Sequence, residues 1–145
     1  MLLLARARPE RVAGMVGIAA APDFTQDLMW DTFDETIRAT LVADGVYFEP
    51  SPYDPEPTPI THTLIIEGRN HLVLRQPIPF AGPVRLIHGI DDPDVPWQHA
   101  LKTADALTSR DVVVTLIKDG DHRLSEPAQI NRILRTVEET CALAV

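Results

Sequence analysis

Four side chains in the later part of the chain could carry out acid–base chemistry together. Asp91, Asp92 and Asp94 crowd one short stretch, and His122 follows after room for one helix and one strand. An imidazole titrates near neutral pH, so His122 can take up a proton and give it back. A carboxylate beside it would hold the ring in one tautomer and stabilise its protonated form. Other roles compete for the acids. Asp92 or Asp94 could cap the helix that begins near Trp97, and Asp91 is the rival for the partner of His122. A calcium loop would need a glycine at its sixth position and a distal glutamate, and both are missing here. His62, His71, His88 and His99 have no zinc-like spacing, and His88 reads as a strand-end residue bonded to backbone. No metal or organic cofactor is expected.

The elements around these residues place them. Val84–His88 reads as a buried strand. Val112–Ile117 reads as another, and a helix from Trp97 to about Leu107 joins them. In an open α/β sheet ligands meet the loops at the carboxyl ends of the strands. Those loops hold the aspartates and the turn Asp119-Gly120-Asp121-His122. Upstream, Met1–Arg8 reads as the end of a helix stopped by Pro9, and Val12–Ala19 as a third buried strand. Phe24, Leu28, Phe33, Ile37 and Leu41 recur at helical spacing, capped by Asp23 or Thr25 and ended by Gly45. Five prolines between Pro50 and Pro59 exclude helix and central strand, so this stretch reads as an extended surface loop. Ile60–Glu67 forms a helix with Leu64 and Ile65 inward, broken by Gly68. A last helix starts at Ser125, with an inward stripe of Ile130, Ile133, Leu134, Val137 and Cys141, the thiol inert. Strands alternating with helices predict an α/β fold with a parallel sheet covered on both faces.

Composition narrows the partners. The chain has 145 residues, enough for one domain of common size. With 13 basic and 21 acidic residues its net charge is −8, which argues against nucleic acid as a partner. An apolar share of 45% is enough for a core and excludes overall disorder. The single cysteine, Cys141, excludes an intrachain disulfide, and the expected location is cytoplasmic. No apolar run is long enough to span a membrane. Arg6, Arg8 and Arg11 ahead of an apolar stretch imitate a secretory signal. Leu2-Leu3-Leu4 before the charges, Glu10 among them and Pro22 after the small residues favour a helix end followed by a strand.

Leu86-Ile87-His88-Gly89-Ile90-Asp91-Asp92-Pro93-Asp94-Val95-Pro96-Trp97 resembles the strand and turn that carry the catalytic acid of α/β-hydrolases. The pattern is His-Gly-x-x-Asp-x-x-Val-Pro, and it sets the acid at Asp92. Gly120-Asp121-His122 resembles the loop with that family's histidine, and Arg8-Pro9-Glu10-Arg11-Val12 the segment after its nucleophile helix. Pro83–Gly89, Val95-Pro96-Trp97 and Leu64–Leu72 carry a narrower likeness. They are similar to small serine hydrolases of bacteria and mitochondria, the group of palmitoyl-protein thioesterases and acyl-glucuronide esterases. The resemblance covers essentially the whole chain. It implies hydrolysis of a carboxylic ester or thioester through an acyl-enzyme, with Asp92 and His122 catalytic and a small-molecule or acylated substrate. It also implies that residues 23–80 are a helical lid within a partial α/β-hydrolase domain spanning 1–145. Trp30, Phe33, Leu41 and Phe48 would then line a substrate pocket or simply pack the lid.

One departure stands out. The family's nucleophile is a serine in Gly-x-Ser-x-Gly at a strand-to-helix elbow, and this sequence has no such motif. Ser51, Ser109 and Ser125 occupy a loop, a helix end and a cap. By family order the elbow falls just before Met1, and the oxyanion donors are missing with it. The expectation is therefore the C-terminal part of a serine hydrolase, inactive by itself, with three parallel strands and an exposed sheet edge open to self-association. The alternative is a non-catalytic binding or dimerisation module, or half of a split enzyme.

Overall fold

The computed structural model describes residues 1–51 and 54–144; Pro52 and Tyr53 of the proline-rich loop, and Val145, lie outside the described residues. In chain order the elements are α1 (Leu2–Ala7), β1 (Met15–Ile18), α2 (Glu35–Asp44), β2 (Val46–Glu49) and β3 (Thr58–Thr61). They continue with α3 (His62–Arg69), β4 (Val84–Gly89), α4 (Gln98–Ala106), β5 (Val112–Ile117) and α5 (Pro127–Leu143). They form two compact units. One runs from Met1 to Pro22 and resumes at Val73; the other is Asp23–Leu72.

The larger unit is built on a parallel sheet in the order β1-β4-β5, with Met15 beside Val84 and Val84 beside Val112. β4 is central and almost wholly buried, as its run of Val84, Leu86 and Ile87 requires. Its core joins Met15, Val84 and Leu86 to Leu2 and Ala5 of α1 and to Leu107. Val73, Ile78 and Phe80 belong to the same core, so the chain has rejoined this unit well before Phe80. β1 starts at Met15 rather than Val12. Val12 closes a 3-10 turn over Pro9–Arg11, its N–H donating to the Pro9 carbonyl at 3.2 Å.

Two expectations fail at α5. Its N-cap is Glu126, not Ser125, in a capping box that Gln129 closes by accepting the Glu126 N–H at 3.1 Å. Its apolar stripe does not face a core: Ile130, Leu134, Val137 and Cys141 are exposed, and among its described residues only Thr140 is buried. Helical periodicity reports that a helix has an apolar side, not what covers it.

The smaller unit revises the reading of its sequence. The single helix expected from Phe24 to Leu41 is two. A π-helical stretch over Thr25–Trp30 is fixed by the Asp31 N–H donating to the Gln26 carbonyl at 2.9 Å. Asp34 then caps α2, its Oδ1 accepting the Ile37 N–H at 2.8 Å, a cap of roughly 1 kcal/mol. Gly45 ends α2 at φ +78°, as glycine does best. The proline-rich stretch is not loop throughout: β2 and β3 pair antiparallel, with Phe48 opposite Pro59. A two-stranded ribbon has open edges on both sides, where a missing N–H is tolerated. α3 starts after Thr61, whose hydroxyl accepts the Leu64 N–H at 3.1 Å. Ile65 is buried but Leu64 is exposed. Gly68 lies inside α3 rather than ending it, and a Cβ there would collide with the Thr25 side chain. The unit's core is Phe33, Leu41, Ile60 and Ile65, each burial contributing roughly 1.5–3 kcal/mol.

Candidate active site

The parallel ladder brings the two chemistry-bearing loops together. Pairing of β4 with β5 ends at Gly89 beside Ile117. Backbone bonding then continues past the strands: the Ile90 N–H donates to the Ile117 carbonyl at 2.8 Å, and the Asp91 N–H to the Gly120 carbonyl at 3.0 Å. The loops approach so closely that a Cβ on Gly89 would strike the Gly120 carbonyl. Only glycine permits that contact.

Within this frame Asp92 and His122 meet. Nδ1 of His122 lies 2.9 Å from Oδ2 of Asp92. The carboxylate is fully buried and the imidazole side chain is 41% exposed. The other oxygen, Oδ1, accepts the N–H groups of Asp94 and Val95, both at 2.9 Å. Asp92 therefore caps its own turn and not α4, which starts without a side-chain cap. Burial pushes the Asp92 carboxyl up. The bonds from the Val95 amide, the His122 side chain and the Asp94 amide outweigh burial and hold it below the usual carboxylate range.

A bond through Nδ1–H leaves the lone pair of His122 on Nε2. Nε2 has no partner among the described residues, so it can accept a proton from another group. Leu124, buried two residues on, stands at φ +46° and donates its N–H to Oδ1 of Asp121 at 2.9 Å. The loop holding His122 is thus anchored from below in a conformation that leucine adopts only under constraint. His88 is wholly buried at the end of β4, its Nε2 2.9 Å from the Val95 carbonyl. The strand-end role read from the sequence is what its ring performs.

The other site candidates lie elsewhere. Asp91 and Asp94 are exposed, and the recorded partner of His122 Nδ1 is Asp92. Ligand atoms of Asp92, Asp94 and His122 fall within 4.8 Å of one another. Phe33 and Leu41 are buried in the core of the smaller unit; Trp30 packs against that core, and Phe48 is exposed. Sequence reasoning missed the surroundings of Trp30. The Arg69 and Arg38 guanidiniums stand 4.9 and 5.7 Å from its ring centre. Ser109 is committed to structure, its hydroxyl donating to the Gly82 carbonyl at 2.7 Å. No described helix is long and apolar enough to cross a membrane.

Known proteins resemble this arrangement closely. The chain is 39% identical over 142 residues to the mitochondrial palmitoyl-protein thioesterase ABHD10 of Mus musculus, a match covering 96% of this chain and 47% of that protein. The solved structure of mouse alpha/beta hydrolase domain-containing protein 10 superposes with a TM-score of 0.88 at 38% identity, covering 98% of this chain and 57% of that one. A protein described as a hydrolase from Agrobacterium vitis S4 gives 0.88 at 40% identity, covering 95% and 56%. No family model matches the chain. It spans about half the length of the curated relatives it matches. Its homologues are thus hydrolases, thioesterases among them, and its sheet is part of an α/β-hydrolase fold. One expectation is overturned: the curated relatives are mitochondrial by name, so the assignment to the cytoplasm does not stand.

Proposed function

We propose that the chain supplies the acid–base pair of a serine hydrolase that cleaves carboxylic esters or thioesters through an acyl-enzyme. The observation that carries this reading is the 2.9 Å contact between Nδ1 of His122 and the buried Oδ2 of Asp92. His122 Nε2 takes the proton of the attacking hydroxyl, then returns it to the departing alcohol or thiol. Asp92 fixes the tautomer and stabilises the imidazolium between those steps. The nucleophile and the oxyanion donors come from polypeptide outside these 145 residues. Ser109 is occupied by backbone. In this reading the unit Asp23–Leu72 is the lid, and Trp30 and Phe48 are its candidates for substrate contact.

Active-site serine labelling tests this. A fluorophosphonate probe is applied to the protein isolated from its source, and the intact mass and labelled peptide are read. The expected label sits in a Gly-x-Ser-x-Gly peptide absent from this chain, and His122→Ala removes it. The pure chain should not hydrolyse aryl esters or acyl-thioesters. Turnover by the pure chain that disappears in His122→Ala would place the nucleophile within these residues and sink the proposal.

A second reading, a non-catalytic module that docks another chain, draws on the exposed apolar residues of α1 and α5, Leu3, Leu4, Ile130, Leu134 and Val137. It requires a native mass equal to that of this chain and a discrete dimer on size exclusion, with the edge strand β1 at the contact.

A further inference from the structure

Among the described residues His88 is the one fully buried histidine, and the chemistry above leaves it without a task. Its Nε2 faces two acceptors at once, the Val95 carbonyl at 2.9 Å and Oδ2 of Asp92 at 3.2 Å. Neither can donate, so Nε2 carries a proton. Nδ1 is sealed from solvent and has no partner among the described residues. A proton there would be an unsatisfied buried donor. A bare lone pair on the aromatic ring is the cheaper occupant. The ring is therefore neutral, protonated on Nε2 alone.

Resting on the catalytic reading of Asp92 and His122, we infer that His88 is a positioning residue for the Asp92 carboxylate, through its Nε2–H bond to the Val95 carbonyl and its close approach to Oδ2. The geometry is a closed loop of three residues. Val95 donates its N–H to Oδ1 of Asp92 and offers its carbonyl to His88. His88 in turn comes close to Oδ2, which receives His122. The carboxylate is thereby held at both oxygens, and its plane is set for Nδ1 of His122. Without His88, the ring packed 3.2 Å from Oδ2 is gone and the buried Val95 carbonyl loses its partner, so the turn that holds the carboxylate can relax away from His122.

The test uses 15N-labelled chain of 145 residues at neutral pH and the imidazole nitrogen resonances. His88 should show a protonated Nε2 and an unprotonated Nδ1. His122 should show a downfield Nδ1–H proton from its bond to Asp92. In His88→Ala that proton should move upfield or vanish by exchange. In His88→Gln, whose amide N–H reaches about as far as Nε2, it should persist. A His122 proton unchanged in His88→Ala, with a native backbone amide spectrum, overturns the positioning role alone. A wild-type His122 lacking the downfield proton overturns the acid–base reading and this inference with it. If His88→Ala fails to fold, the wild-type tautomer decides: a proton on Nδ1 of His88 refutes the inference.

Discussion

The buried Oδ2 of Asp92 receives Nδ1 of His122 at 2.9 Å while its Oδ1 receives two backbone amides, so one carboxylate both caps its turn and orients the imidazole. This coupling gives the pair a signature in stability. Asp92 is held below its ordinary value when folded, so in acid the unfolded chain binds the extra proton. Stability from Asp92 is then fully present above roughly pH 4 and is lost as pH falls through the depressed folded value. Urea unfolding at pH 7 and pH 3 should show a larger loss for wild type than for Asp92→Asn. Parallel losses in the two proteins would show that the carboxylate is not depressed by folding.

Gly89→Ala tests the loop contact that makes the pair possible. The added Cβ meets the backbone of Gly120 and Asp121, which cannot rotate aside as a side chain could. Separation of the loops costs about 1–3 kcal/mol, the usual scale of overpacking, and draws His122 away from Asp92. Thermal melting should fall and the downfield Nδ1–H of His122 should disappear together. A lowered melt with the His122 proton intact would mean that the strain is relieved elsewhere.

Sequence reasoning reached the pair because its signals are local. The run Val84–His88, the aspartates behind it and a turn ending in His122 each depend on a few neighbouring residues. The adjacency of β4 and β5 follows from one intervening helix. What it missed depends on contacts between distant residues. The break at Asp31–Asp34 hides within an apolar repeat that runs across it, and only the Asp34 cap betrays it. β3 was concealed by Pro57 and Pro59, which an edge ribbon tolerates. Gly68 reads as a breaker, yet it lies inside α3 against Thr25, 43 residues earlier (68 − 25). The α5 stripe was legible as apolar, but its surroundings are not encoded in its spacing.

The Gly68 contact yields a paired test. Gly68→Ala puts a methyl group into the Thr25 hydroxyl and γ-methyl, and should destabilise the smaller unit by about 1–3 kcal/mol. Combined with Thr25→Ala, part of that loss should return, because the hydroxyl and γ-methyl are gone. Recovery stays incomplete, since the Thr25 Cβ itself would stand 2.8 Å from the new methyl. Adjacent positions coupled in this way are non-additive. Strictly additive denaturation free energies would mean that the π-helical stretch moves away from α3 instead.

The exposed stripe of α5 makes the last prediction. Leu134 and Val137 are 55% and 39% exposed. A groove of about 410 Å³ beside them is lined by Leu4, Val12, Val16, Val137, Cys141 and Ala144, among others. Apolar surface of this kind rimmed by charge drives association or aggregation when uncovered. Their replacement in the isolated chain removes little packing, so Leu134→Glu with Val137→Lys should change unfolding free energy by no more than about 0.5 kcal/mol per site. Solubility should rise, and dye binding to exposed apolar surface should fall. In the protein isolated from its source the outcome reverses if further polypeptide packs on this face. There the same pair buries two charges, and the melting temperature should drop by several degrees, as a loss of a few kcal/mol requires. Equal tolerance of both forms would show that the stripe faces solvent in the native protein as well.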